Sequence, residues 1–62
     1  MASHELIAGM EVKTAAKKEV IIRQVNGPLV AINYQNGNFA GVINKNQITH
    51  IKVGENWEEY KN

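Results

Sequence analysis

The run Leu29-Val30-Ala31-Ile32-Asn33-Tyr34-Gln35-Asn36-Gly37-Asn38-Phe39-Ala40-Gly41-Val42-Ile43 decides how this chain is read. Its first six residues alternate, so an extended backbone puts Val30, Ile32 and Tyr34 on one side and Leu29, Ala31 and Asn33 on the other. Asn36-Gly37 follows, a pair that tolerates the positive φ angles of a tight turn, and a second apolar run returns through Phe39 to Ile43. Two extended runs joined in this way make a β-hairpin. Alternation does not settle the returning strand, because Phe39 and Ile43 compete with Ala40 and Val42 for the inward side.

The same rhythm extends in both directions, with short β-branched runs separated by turn residues at intervals of roughly ten. Residues 19–25 are dense in Val and Ile and end at Asn26-Gly27-Pro28, where proline cannot donate to a ladder. Residues 10–14 form a first strand introduced by Ala8-Gly9. Residues 14–18 connect it to the second and are too few for a helix to stand alone. Residues 44–47 make a turn, residues 48–53 the last strand, and Gly54 closes it. The tail, residues 55–62, is acidic and aromatic, and one helical turn would bring Trp57 and Tyr60 to the same side.

The expected fold class is therefore all-β, with five short antiparallel strands. An open sheet of that size leaves edges ready to pair with other chains, and closing it into a small barrel removes them. The expected organisation is an N-terminal segment (1–8, partly flexible), a barrel (9–54) and the acidic aromatic tail (55–62).

Size and composition bound the rest. A chain of 62 residues and 6.9 kDa is one small domain, hiding only ~60% of the surface its unfolded form exposes. Its formal net charge of +1 announces neither a nucleic-acid nor a membrane partner. Cysteine is absent, which excludes disulfides and thiolate metal sites. Apolar runs are too short to span a bilayer, and the first residues lack the pattern of a signal peptide, so the expected location is cytoplasmic.

Three segments carry a resemblance. Gly41-Val42-Ile43-Asn44-Lys45-Asn46-Gln47-Ile48 resembles the end of a Src-homology-3 (SH3) barrel, where a glycine and two apolar residues precede a short Asn-containing turn. Leu6-Ile7-Ala8-Gly9-Met10-Glu11-Val12 is similar to the opening of SH3-like and KOW-type barrels, and Asn36-Gly37 falls where such a barrel has its distal turn. The pattern also looks like that of small barrel proteins of Gram-positive bacteria. The resemblance implies an SH3-like barrel over roughly residues 6–53. It does not bring proline-rich ligands with it: that function needs an aromatic-lined groove, and Asn44 and Gln47 stand where the family's final turn places Pro and Tyr.

Catalytic chemistry has little to work with. His4 lies near the N-terminus beside Ser3, and His50 lies in the last strand, facing outward if Ile51 faces in. Aspartate is absent, the glutamates outside the tail are single, and no glycine-rich loop leads into a helix. We expect no enzyme, metal or cofactor. Charge is more informative. Residues 1–54 hold six basic side chains (Lys13, Lys17, Lys18, Arg23, Lys45, Lys52) against Glu5, Glu11 and Glu19, while the tail sets Glu55, Glu58 and Glu59 against Lys61. The six cations are candidates for nucleic-acid phosphates, with Tyr34 and Phe39 as stacking rings. Tyr34, Phe39, Trp57 and Tyr60 are equally candidates for protein contact, since aromatic residues anchor interfaces. The expected function is a non-catalytic binding or assembly module, contacting a protein partner or a second copy; the alternative is an RNA- or single-stranded-DNA-binding barrel.

Overall fold

A computed structural model describes residues 6–60. His4 and Lys61 lie outside the described residues. The fold is all-β, and six antiparallel strands form one sheet: β1 (Glu11–Thr14), β2 (Glu19–Asn26), β3 (Leu29–Asn33), β4 (Phe39–Asn44), β5 (Ile48–Val53) and β6 (Asn56–Glu59), in the order β4-β3-β2-β1-β5-β6. Five of them fall where the sequence places strands. The expected five-stranded closed barrel is corrected on two points: there is a sixth strand, and the sheet is not closed.

After β4 a single 3₁₀ turn (Lys45–Gln47) carries the chain across to Ile48, which pairs with Thr14 of β1 rather than with β4. The far edge of β5 is then taken by β6, where Ile51 pairs with Glu58 and Lys52 with Trp57. Strands β4 and β6 are left as edges. Part of the expected tail is thus a strand and not a helical turn. In a strand, Trp57 and Tyr60 fall on opposite faces: Trp57 pairs with Lys52 on the outer face, while Tyr60 packs against the core.

The core lies on the inner face and consists of Val12, Val20, Ile22, Val30, Ile32, Ile48 and Ile51, with Leu6, Met10, Ala40, Ile43 and Tyr60 packed around it. Cross-strand pairing explains its membership. Val12 meets Val20 and Ile51, and Ile22 meets Ile32, so two adjoining rows of β-branched side chains together span four strands. His50, beside Ile51, faces outward as its position in the strand predicts. The uncertain parity of β4 is resolved by a bulge: the register shifts between Ile32 and Asn33, Gly41 takes φ +127, and Ala40 and Ile43 both reach the core while Phe39 and Val42 face out.

Two hairpin loops share one construction. Tyr34 N–H donates to Asn38 O at 2.7 Å and Gly37 N–H to Tyr34 O at 2.9 Å, with Asn36 Oδ1 accepting from Asn38 N–H at 2.9 Å. Likewise Thr14 N–H donates to Lys18 O at 3.0 Å and Lys17 N–H to Thr14 O at 2.8 Å. Each is a three-residue loop whose last residue is left-handed: Gly37 at φ +95 and Lys17 at φ +65. Glycine adopts that conformation freely and lysine does not. Replacing Lys17 by glycine is therefore expected to raise the midpoint of urea unfolding, by about 0.5–1 kcal/mol after the entropy of glycine is set against the relieved strain. A lowered midpoint would contradict this.

Candidate interaction surfaces

The outer face divides into two regions, one charged and one apolar. On β1, β5 and β6 the pairing puts Lys13 beside His50 and Lys52 beside Trp57. Two cations lie against the indole: Lys13 Nζ stands 4.7 Å and Lys52 Nζ 6.0 Å from its centroid. Such contacts contribute about 0.5–1 kcal/mol at exposed sites. Lys52 Nζ also approaches Glu11 Oε1 at 3.9 Å, with both side chains about one third exposed, a spacing of little energetic weight in water. Thr49 Oγ1 lies within hydrogen-bond reach of the carbonyls of Lys13 (3.2 Å) and Thr14 (3.4 Å) and of His50 Nδ1 (3.0 Å), and the tautomer of His50 decides which way the last bond runs. Lys13, Lys17, Glu19, Thr49 and His50 line a shallow open basin around the first loop.

The six candidate cations do not form one patch. Lys13 and Lys52 meet over Trp57. Lys17 is in the first loop, Lys18 lines a cleft on the inner side, and Lys45 sits in the 3₁₀ turn, where its N–H donates to Pro28 O at 2.8 Å. Arg23 lies at the bulge of β2 with its guanidinium 5.6 Å from the Phe39 centroid. Glu11 and Glu19 stand among them.

The four aromatic candidates are also dispersed. Tyr60 belongs to the core, and its N–H donates to Thr49 O at 2.9 Å. Trp57 is half-buried under its lysines. Tyr34 lines the inner cleft, about 210 Å³, together with Ala15, Val20, Ile32, Ala40 and Ile43.

Phe39 opens the second region of the outer face. Across β3 and β4, Leu29 pairs with Asn44, Ala31 with Val42 and Asn33 with Phe39. Three large apolar side chains stay in solvent here: Leu29 is 47% exposed, Val42 56% and Phe39 56%. Ala31 is small and forms the floor of a shallow groove between Leu29, Val42, Gln24 and Asn26. Asn33 Oδ1, between β2 and β4, is screened from solvent and lacks a hydrogen-bond partner. Leu29 and Val42 did not stand out from the sequence as site residues, because either would equally serve a core; only the pairing shows that they face out.

No group of three or more potential metal ligands occurs among the described residues, and none of their helices is long and apolar enough to cross a membrane. Comparison of the chain with protein-family models, with curated proteins and with solved structures finds no match.

Proposed function

We propose that this chain is a non-catalytic protein-binding or assembly module, SH3-like in its strand order but with an open sheet, and that it binds through β4 and the outer face beside it. The observation that carries this reading is the coincidence of a strand edge without a neighbour among the described residues with a cluster of solvent-exposed Leu29, Val42 and Phe39. A strand edge offers backbone hydrogen bonds, and adjacent exposed apolar side chains offer desolvation energy; together they are what strand addition uses. The SH3-like assignment is supported by the 3₁₀ turn between β4 and β5, and by β1 lying between β2 and β5. Nucleic-acid binding has less support: the cations are spread over both faces and interleaved with Glu11 and Glu19, and the Trp57 ring already holds two of them.

The test is site-specific photocrosslinking. A photoreactive phenylalanine analogue at position 42 is expected to give covalent protein adducts, competed by excess unmodified protein, whereas the same analogue at position 59, on β6, gives few. Equal yields at the two positions would remove the assignment to β4.

A further inference from the structure

The sequence holds two Asn-Gly pairs, Asn26-Gly27 and Asn36-Gly37, each in a hairpin turn and each exposed. Asparagine followed by glycine is unusually open to deamidation, because a residue without a Cβ lets its backbone nitrogen reach the side-chain amide before it. We propose that Asn26 is the deamidation site of this chain and that the fold holds Asn36 back. The reaction is a cyclisation. Base takes the proton of the Gly27 N–H, and the nitrogen attacks Asn26 Cγ to close a succinimide ring. The bond from Cγ to Nδ2 breaks, and ammonia leaves with a proton from solvent. Water then opens the ring at one of its two carbonyls. Opening at Cγ leaves aspartate, and opening at the backbone carbonyl leaves isoaspartate, whose main chain runs through Cβ and Cγ.

Ring closure removes the hydrogen from the glycine nitrogen, so what that hydrogen is bonded to decides between the two sites. Gly37 N–H donates to Tyr34 O at 2.9 Å, and Asn36 Oδ1 accepts from Asn38 N–H at 2.9 Å, so the attacking and the attacked groups are both engaged. Gly27 N–H and the Asn26 side-chain amide have no hydrogen-bond partner among the described residues. Gly27 stands between the paired residues Asn26 and Leu29, off the ladder, and the turn is secured next door, where Pro28 O accepts from Lys45 N–H at 2.8 Å. A succinimide at Asn36 therefore forfeits a hydrogen bond of the loop, and one at Asn26 forfeits none. A hydrogen bond of ordinary net strength makes Asn26 the faster site by at least ~5-fold. The product places a negative charge on the groove between Leu29, Ala31 and Val42, which Asn26 lines.

The experiment ages the folded full chain in mildly alkaline buffer and follows its peptides by mass spectrometry, with fragmentation locating each exchange of an amide nitrogen for oxygen. Asn26 is expected to react at least ~5-fold faster than Asn36, and the two rates are expected to converge in urea, where both glycine nitrogens are released. Asn26→Gln removes most of the conversion in the folded chain, and Asn36→Gln removes little. Equal rates in the folded chain, a faster reaction at Asn36, no conversion at all, or a preference for Asn26 that urea leaves unchanged each overturns the assignment. The consequence for binding rests on the assignment of binding to β4: in Asn26→Asp, crosslinking from position 42 is expected to fall several-fold, because apolar contact there would bury a carboxylate. Crosslinking indifferent to Asn26→Asp overturns that consequence. A parent chain that gives no adducts from position 42 removes the binding role of β4, and the peptide measurement decides the deamidation site independently of both.

Discussion

Replacing Ile51 by alanine is expected to leave the chain largely unfolded at 25 °C. Ile51 is fully buried, at the centre of β5 with β1 on one side and β6 on the other. Truncating a buried isoleucine to alanine costs about 2–5 kcal/mol, combining lost transfer energy with the cavity left behind. A single core in a domain of this length supplies only about 3–5 kcal/mol of net stability. The two magnitudes overlap, which is why one side chain decides the outcome. Far-ultraviolet circular dichroism with urea titration measures it. Val42→Ala, at an exposed position of β4, serves as the control and is expected to change stability by no more than about 0.5 kcal/mol. An Ile51→Ala protein that melts cooperatively with a loss below about 1 kcal/mol would mean that the core is not organised around this residue.

Ending the chain after Gly54 is expected to be comparably severe. If residues 55–62 were an appendage, their removal would matter little. Instead β6 pairs with β5 from Val53 to His50, and Tyr60 covers the core. Removal strips Ile51 of its neighbour, opens the core beneath Tyr60, and exposes β5 as a second edge with few charges. The expected result is loss of the cooperative transition, or aggregation that grows with concentration. Tyr60→Ala isolates the packing part and is expected to cost about 1–3 kcal/mol while leaving β6 paired. A shortened chain that melts like the parent would show that β6 contributes nothing.

Those two effects also mark how far local sequence carries. The hairpin at Asn36-Gly37 and the runs of Val and Ile are local signals, and they place five strands within about two residues at each end. β6 gives no such signal. Asn56-Trp57-Glu58-Glu59 holds one apolar residue and no alternation, and it becomes a strand because β5 presents an edge to it, a fact set by residues far away in the chain. The open sheet is non-local for the same reason. The 3₁₀ turn, by contrast, was available: Asn44 and Gln47 are spaced as a capping box, with Asn44 Oδ1 accepting from Asn46 N–H at 3.2 Å and Gln47 Oε1 accepting from Asn44 N–H at 3.3 Å. The bulge in β4 rests on one glycine, and a lone glycine in a strand signals an irregularity without saying which face its neighbours take.

The surfaces were legible as residue types and not as places. Phe39 was identified as a contact candidate, and it lies on the exposed apolar patch; Leu29 and Val42, its neighbours there, were hidden among other aliphatic residues. Lys13 and Trp57 are far apart in sequence and meet only because β5 lies between their strands.

The placement of β1 between β2 and β5 also bears on the order in which the sheet assembles. The hairpins β1–β2, β2–β3 and β3–β4 need only nearby partners, but β5 reaches β1 across the whole meander, and Val12 has half its company missing until Ile51 docks. Until then the four-stranded sheet keeps one flank of its core open to water, and the pair β5–β6 is what closes it.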